Sequence, residues 1–150
     1  MFSSNKTDWE TPDDFFLELD KKYGFTLDVA ANAENKKCAR YFSADDDGLQ
    51  QSWKTDGAVW CNPPYGRQIK DWVKKASDEA KLIDNTIVML IPARTDTSYF
   101  HDYIYGTAEI YFVRGRIKFL DNKKEKSSAP FPSMIVVWNK QKSHVGAVDV

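Results

Sequence analysis

A strand, a stiff turn and a helix follow one another in the middle of this 150-residue chain. The strand is predicted by the apolar run Ala58-Val59-Trp60-Cys61. The turn is Asn62-Pro63-Pro64-Tyr65, in which two prolines hold φ at about −65° and remove two backbone donors. Apolar residues then recur at helical spacing, at Ile69, Trp72, Val73, Ala76 and Ala80. An apolar run over residues 86–91 completes a strand, helix and strand unit, which predicts an α/β fold.

The segment before this unit is predicted to contain a helix and a strand. Thr11 has the character of an N-cap for a helix over residues 12–23, with Pro12 at the first helical position. The apolar run over 25–31 predicts a strand. A weaker pattern over 33–41 predicts a helical piece, which an acidic loop separates from the central unit.

The second half of the chain predicts further strands. A second crossover helix is expected over 96–105, with Thr95 or Asp96 near its cap. Strands are expected to follow over residues 108–113, 117–120 and 134–138. Three strands in succession favour an antiparallel end, so that the sheet as a whole is predicted to be mixed.

Length and composition set the frame for any function. The chain, 42% hydrophobic, is expected to form one domain, 1–150, with flexible ends at 1–7 and 140–150. It has no apolar stretch of 18 residues and no apolar secretory segment, so a soluble, cytoplasmic protein is expected. Cys38 and Cys61 lack the spacing of a zinc site and are predicted to be buried thiols. A net charge of −1 excludes a uniformly basic nucleic-acid binder, so any DNA contact must be local.

The proline turn presents hydrogen-bond acceptors at the carboxyl end of a strand, where open α/β sheets place their ligand crevices. Asn62 Oδ1 and the Pro63 carbonyl can accept both hydrogens of an exocyclic amino group, which makes that nitrogen more tetrahedral and more nucleophilic. Tyr65 offers an aromatic face for a base taken out of its stack. The pattern favours chemistry on the amino group of a base over an ordinary proline turn with a packing tyrosine.

The tetrapeptide resembles the catalytic motif of amino-methyltransferases that use S-adenosylmethionine, in which Asp, Asn or Ser precedes Pro-Pro and an aromatic residue. More of the chain is similar to the phage-type DNA adenine N6 methyltransferases of the Dam family. The similar segments are Trp9-Glu10-Thr11-Pro12, Phe25-Thr26-Leu27-Asp28-Val29-Ala30-Ala31, Asp47-Gly48-Leu49 with Trp53, and Gly115-Arg116-Ile117-Lys118-Phe119. The resemblance implies a Rossmann-like fold with helices on both faces of the sheet. It also implies methyl transfer to N6 of adenine in double-stranded DNA, with the base flipped onto Asn62, Pro63, Pro64 and Tyr65.

The same resemblance implies where S-adenosylmethionine binds. The residues that it assigns to the cofactor are Trp9, Thr11, Pro12, Asp28, Ala30, Asp45 and Asp47. Asp28 is placed against the ammonium group and Asp47 against the adenosine end, with a neighbouring acid of the same loop as the alternative. Residues 28–32 contain no glycine, unlike the usual nucleotide-binding turn. Two structural alternatives stay open, namely Asp28 as the cap of a short helix and Trp9 as a hydrophobic staple.

Contacts with DNA are expected from loops in the second half of the chain. The residues assigned to this role are Arg94, Arg114, Arg116, Lys118 and Phe131. Phe131 is expected to form a second wall for the flipped base, or else to belong to the core. The lysines within 121–126 fit a solvated hairpin loop as well as they fit phosphate contact. No separate recognition domain fits this length, so sequence specificity is relaxed or needs a second copy of the chain.

Three other functions are compatible with the tetrapeptide. Similar motifs serve enzymes that methylate RNA or protein amides, and also enzymes that methylate cytosine N4. The third alternative is a non-catalytic DNA-binding module that has kept the fold, which the missing glycine turn would allow. For a DNA methyltransferase, the biological role is either protection of a genome from restriction or a change in its regulation.

Overall fold

A computed structural model of the chain describes residues 8–121, 123–140 and 143–150. Its helices are α1 (Asp13–Tyr23) and α2 (Ile69–Leu82), with a short 3-10 helix at Gly48–Gln50 and a π-helical turn at Phe100–Ile104. The strands are β1 (Phe25–Asp28), β2 (Ala58–Cys61), β3 (Ile87–Pro92), β4 (Glu109–Arg114), β5 (Lys118–Leu120), β6 (Lys126–Ser128), β7 (Ser133–Trp138) and β8 (His144–Asp149). The predicted α/β class is therefore confirmed.

Six of the strands form one mixed sheet, in the order β1-β2-β3-β7-β4-β8. The first three strands are parallel, β7 is antiparallel to both of its neighbours, and β8 is parallel to β4. The antiparallel region predicted from the sequence is therefore present. Strands β5 and β6 pair as a separate hairpin, whose Leu120 forms a bridge with Glu10 of the N-terminal segment.

The predicted strand, helix and strand unit corresponds to β2, α2 and β3. Every residue of β3 and β7 is buried, which fits two neighbouring strands at the centre of a sheet that is covered on both faces. On α2 the buried apolar side chains recur every three or four positions, at Ile69, Trp72, Val73 and Ala76. This stripe packs the helix onto the sheet.

Parallel pairing of β1 with β2 brings two predicted site residues, Asp28 and Asn62, to the same edge of the sheet. Leu27 lies beside Val59 and Asp28 lies beside Trp60. The backbone amide of Val29 donates to the Trp60 carbonyl, so the two chains stay paired one residue beyond β1. The loops after β1 and β2 therefore leave the sheet side by side.

The start of α1 differs by one residue from the prediction. Pro12, in extended conformation, is the N-cap residue, and its carbonyl accepts the first helical hydrogen bond from Phe16. Thr11 is buried and caps nothing, because its hydroxyl accepts a hydrogen bond from Asn62. The predicted capping role of Thr11 is wrong, and the reason is a contact made 51 residues away.

The helical piece predicted over 33–41 is also wrong, since these residues form turns and bends. Side-chain oxygens take the backbone amides that a helix would use. Asn32 Oδ1 accepts from the amides of Glu34 and Asn35, and Asp28 Oδ2 accepts from the amide of Lys37.

The second crossover helix is shorter than predicted. Within 96–105 the helical residues run from Ser98 to Ile104, and the last five form the π-helical turn Phe100–Ile104. The Thr97 hydroxyl accepts from the Phe100 amide and donates to the Arg94 carbonyl, so Thr97, rather than Thr95 or Asp96, caps the start of this helix.

The tail after Trp138 was expected to be frayed, and this expectation is wrong for residues 144–149. They form β8 and pair in parallel with all six residues of β4. The strand lies at the edge of the sheet and stays largely exposed, so its sequence lacks the apolar run that marks a buried strand. The predicted flexible segment 1–7 lies outside the described residues. Within the described ranges, no helix has the length and apolar character needed to cross a membrane.

Candidate active site

A cavity of about 490 Å³ opens at the edge where β1 and β2 end. This volume lies within the range of small-molecule sites. Of the residues predicted to bind cofactor or base, the cavity is lined by Trp9, Thr11, Asp28, Ala30, Asp47, Asn62, Pro63 and Pro64. Pro12, Asp45 and Tyr65 do not line it.

Asn62 is held by both hydrogens of its amide nitrogen. Nδ2 donates to the backbone carbonyl of Trp9 and to Thr11 Oγ1, the latter at 3.0 Å. These two bonds fix which way round the amide lies. Oδ1 is buried and has no hydrogen-bond partner among the described residues. The arrangement therefore leaves one oriented acceptor free at the end of β2.

Tyr65 lies in an aromatic cluster beneath the cavity and is only 5% exposed. Its hydroxyl donates to the Leu90 carbonyl at 2.9 Å, and burial raises the pKa of the phenol well above its ordinary value. The Trp9 ring stacks on Tyr65 with centroids 6.4 Å apart, and Phe119 and Phe131 meet the ring edge-on. The aromatic face predicted to receive a base is thus covered by Trp9.

Asp28 is a buried carboxylate, 2% exposed, at the carboxyl end of β1. Oδ1 accepts from the amide of Ala30 at 3.3 Å and Oδ2 from the amide of Lys37 at 3.0 Å. Burial raises the pKa of Asp28 to about 6, and the two amides and the nearby Lys37 charge oppose that rise. The alternative of a helix cap is wrong, because a turn follows β1. The carboxylate instead braces the loop between residues 30 and 37.

Asp47 and Gly48 form the opposite wall of the cavity. Asp47 adopts a left-handed conformation, φ 56°, and its carboxylate accepts from the amide of Leu49. A Cβ on Gly48 would lie 2.3 Å from the Val29 carbonyl oxygen, so only glycine allows this approach to the strand end. Asp46, by contrast, is bonded to Ser43 and supports the turn.

Several cavity residues carried no functional prediction. They include Asn35, Lys37, Phe42, Leu49, Gln68 and Trp72. Lys37 reaches the site from the irregular 33–41 segment and pairs with Asp13 at 2.8 Å. Trp72 was predicted only as part of the helical core stripe. The sequence did contain a signal for its place at the site, because Trp72 lies four residues after Gln68, on the helical turn nearest the tetrapeptide.

The basic residues predicted to contact DNA are exposed, whereas Phe131 is buried with the aromatic cluster. Arg116 and Lys118 line a second groove of about 650 Å³, against Pro12 and Phe15 of the α1 region. Asp121 exchanges backbone hydrogen bonds with Lys124 and Glu125 where the β5–β6 hairpin turns, and Lys124 pairs with Glu10. The hairpin interpretation of the lysine run is confirmed.

The two thiols are buried, as predicted. Burial raises the pKa of Cys38 to about 12 and that of Cys61 well above its ordinary value, and the Asp28 charge adds to both effects. Across the described ranges, no cluster of three or more His, Cys, Asp or Glu side chains has the arrangement of a metal site.

Comparisons with known proteins identify the family of the chain. The sequence matches the family described as DNA N-6-adenine-methyltransferase (Dam) over residues 2–150. It is 37% identical to a DNA N-6-adenine-methyltransferase of Escherichia phage T1 over 106 residues, which are 70% of this chain and 44% of that protein. It is 28% identical over 140 residues to the protein of the same name from Haemophilus phage HP1, covering 90% of this chain and 80% of that one. The chain thus spans less than half the length of the T1 relative. Because the family match runs over nearly the whole sequence, the chain belongs to the DNA N-6-adenine-methyltransferase (Dam) family.

Proposed function

We propose that this protein transfers a methyl group from S-adenosylmethionine to the N6 amino group of adenine in double-stranded DNA. The observation that carries the proposal is the state of Asn62. Both hydrogens of its amide nitrogen are engaged by Trp9 and Thr11, and Oδ1 is a buried acceptor without a partner among the described residues. A buried acceptor of this kind is costly unless a ligand donates to it. The names of the related phage proteins support adenine as the acceptor base.

The cavity suits S-adenosylmethionine in its charge as well as its size. Asp28 would hold the ammonium group of the methionine end, and Asp47 would accept hydrogen bonds from the ribose hydroxyls. Trp9 and Thr11 line the wall between the cofactor and Asn62. The cofactor supplies an electrophilic methyl group on its sulfonium. The mixed sheet is compatible with a Rossmann-like arrangement with helices on both faces, which belongs to the same proposal.

The protein's part in the reaction is to bind and orient the amino group. Asn62 Oδ1 and the Pro63 carbonyl accept its two hydrogens, which concentrates the lone pair on the nitrogen. The oriented nitrogen would take the methyl group of a bound S-adenosylmethionine directly, and the sulfonium sulfur would keep the electron pair of the broken methyl–sulfur bond. The methylated nitrogen is cationic and strongly acidic, so it loses a proton without a histidine base.

Stacking of the base on Tyr65 requires the Trp9 ring to leave the face that it covers. The backbone around Trp9 is held by the Glu10–Leu120 bridge, by the ion pair of Glu10 with Lys124 and by the hydrogen bond from Asn62 to the Trp9 carbonyl. Rotation of the Trp9 side chain, with this backbone in place, would expose Tyr65 between Phe119 and Phe131 and keep Asn62 oriented. Exposed Arg94, Arg114, Arg116 and Lys118 would contact the duplex, in the cytoplasm of a host cell if the protein serves a phage. A second copy of the chain is the candidate source of further DNA contacts.

The test is transfer of labelled methyl from S-adenosylmethionine to unmethylated duplex DNA, followed by digestion to nucleosides. We expect N6-methyladenine, and a loss of at least about a hundredfold in Asn62→Ala because the oriented acceptor is removed. Asn139→Ala is the matched control. Asn139 is also partly buried, and it follows β7 at the opposite end of the sheet.

If the label appears in N4-methylcytosine, RNA or protein and not in adenine, the protein methylates that other acceptor. DNA binding without cofactor binding would indicate the non-catalytic module. Equal activity of Asn62→Ala and Asn139→Ala would contradict the role of Asn62, whatever the acceptor.

A further inference from the structure

Three buried side-chain atoms lack a hydrogen-bond partner within the described part of the chain. They are Asn62 Oδ1, Trp72 Nε1 and Ser133 Oγ. An unpaired buried donor or acceptor costs about 1 to 3 kcal/mol, so such atoms are few in native proteins. Asn62 and Trp72 line the same cavity. The proposed reaction uses the Asn62 acceptor and leaves the Trp72 donor unexplained.

The Trp72 indole has little freedom to find another partner. It is 6% exposed and stacks on Trp53, with ring centroids 6.2 Å apart and an interplanar angle of 27°. Its outer edge lies 3.0 Å from the place where a Cβ on Gly48 would stand. The ring is therefore clamped between Trp53 and the Asp47–Leu49 turn.

The two stacked indoles differ in one respect. Trp53 Nε1 donates to the Gly48 carbonyl at 2.8 Å, whereas Trp72 Nε1 has no acceptor among the residues that the structure describes. Packing alone accounts for the first ring. The second ring belongs to a residue of the cavity wall and carries a buried, unpaired N–H group, which a hydrogen-bond acceptor bound in the cavity would satisfy.

The surroundings of Trp72 in the cavity indicate the chemistry of that acceptor. Leu49 and Pro64 are further apolar lining residues, and Asp47 adds a carboxylate. Apolar walls suit a flat heterocycle, a carboxylate suits the hydroxyls of an attached sugar, and an indole N–H suits a ring nitrogen. A nucleoside has all three features.

We propose that Trp72 is a specificity-determining residue of the cofactor site, whose Nε1 donates a hydrogen bond to a ring nitrogen of the cofactor's adenine. This inference rests on the proposed function, because it takes S-adenosylmethionine to be the cavity's ligand. Three ring nitrogens of the cofactor's adenine, N1, N3 and N7, are acceptors, whereas N9 carries the ribose. A purine that carries hydrogen on the contacted nitrogen, or a carbon there, would leave the indole N–H unpaired.

The experiment measures binding rather than turnover. S-adenosylhomocysteine, which carries no methyl group to transfer, is titrated calorimetrically into the wild type, Trp72→Phe and Trp138→Phe. Trp138 is the matched control, since it is equally buried and its Nε1 donates to the Tyr103 carbonyl, outside the cavity. We expect affinity to fall about tenfold in Trp72→Phe and less than twofold in Trp138→Phe, the size expected for one lost hydrogen bond.

Stability of the ligand-free proteins should show the opposite order. Both variants lose the same volume, but only Trp138→Phe loses a formed hydrogen bond, so its melting temperature should fall further than that of Trp72→Phe. This crossed pattern separates a ligand contact from a packing role, because a merely structural Trp72 would lower stability and affinity together.

The contacted nitrogen is identified with the 1-deaza, 3-deaza and 7-deaza analogues of S-adenosylhomocysteine. The analogue that lacks the contacted nitrogen should bind the wild type about tenfold more weakly than S-adenosylhomocysteine does. Its affinity should not fall further in Trp72→Phe, because the hydrogen bond is already absent. Unchanged affinity of Trp72→Phe, or equal losses for every analogue in both proteins, would overturn the inference while leaving the proposed function intact. Failure of the wild type to bind S-adenosylhomocysteine at all would instead overturn the proposed function, and this inference with it.

Discussion

At the scale of single residues, the ionised form of Asp28 is unfavourable in the folded protein. Its two oxygens accept hydrogen bonds from the backbone amides of Ala30 and Lys37. The effect of burial is larger than that of these bonds and raises the pKa of the carboxyl from 3.8 to about 6. A cationic ligand group beside it would restore the ionised form. The residue therefore weakens the ligand-free fold at neutral pH, and under the proposed function a charged contact with the cofactor's ammonium group would offset this cost.

Asp28→Asn should change how stability depends on pH. The folded state keeps its proton up to about pH 6 and the unfolded state loses it near pH 4, so the wild type loses stability as pH rises through this window. The loss attributable to Asp28 is roughly 2 kcal/mol between pH 4 and pH 7. Urea unfolding at both values should show the wild type losing more stability than Asp28→Asn by about this amount.

The control for this measurement is Asp84→Asn. Asp84 is exposed, and Lys140 holds the pKa of its carboxyl below the ordinary value, so removal of its charge should alter the pH profile in the opposite direction. Parallel pH profiles for the wild type and Asp28→Asn would contradict the assignment of a raised pKa to Asp28.

At the scale of elements, the site depends on how closely the 43–50 loop approaches the end of β1. Asp47 turns the chain in the left-handed region, and Gly48 then lies against Val29 and Trp72. Trp53 secures the same turn through the Gly48 carbonyl. The loop thus joins β1, α2 and the 3-10 helix into one wall of the cavity.

Gly48→Ala should be strongly destabilising. The added Cβ would meet the Val29 backbone oxygen at 2.3 Å, and backbone cannot move aside as a flexible side chain can. We expect a loss of about 3 kcal/mol or more in the free energy of unfolding, measured in urea.

Gly106→Ala is the comparison. Gly106 has φ 81° with no atom within 4 Å of an added Cβ, so only backbone strain of about 1 to 2 kcal/mol is expected. Similar losses in the two variants would contradict the close approach.

For the whole molecule, the distribution of charge matters more than its sum. The net charge is −1, and Lys37 and Lys124 already pair with acidic residues. Arg114, Arg116 and Lys118, near the β4 end and on β5, are exposed cations. A duplex would therefore meet a local basic surface on a molecule whose remaining residues carry a net negative charge.

Arg116→Gln should weaken DNA binding and reduce its dependence on salt. Each phosphate contact contributes about −0.9 to the slope of log K against log salt, so one lost contact should lower the magnitude of the slope by about that amount. Lys81→Gln is the charge-matched control, because Lys81 is exposed in the last turn of α2, at the far end from the tetrapeptide. Equal slopes for Arg116→Gln and the wild type would remove Arg116 from the interface.

The sequence by itself determined the parts of this protein that depend on local pattern. The apolar run at Ala58–Cys61, the proline turn and the helical stripe predict β2, the tetrapeptide and α2, because strand and helix periodicities are written into neighbouring residues. The mixed character of the sheet, with its antiparallel region, also follows from the order of the predicted elements. The family resemblance then named the chemistry.

Only the tertiary structure decided which atoms are free to act. Trp9 covers Tyr65, and Thr11 hydrogen-bonds Asn62 instead of capping α1. The N–H group of Trp53 is hydrogen-bonded, whereas that of Trp72 is unpaired among the described residues. Residues 144–149 become a strand because β4 offers them an unpaired edge. Each of these outcomes depends on contacts between residues far apart in the chain, and a hydrogen bond or a covered ring face exists only when both partners are in place.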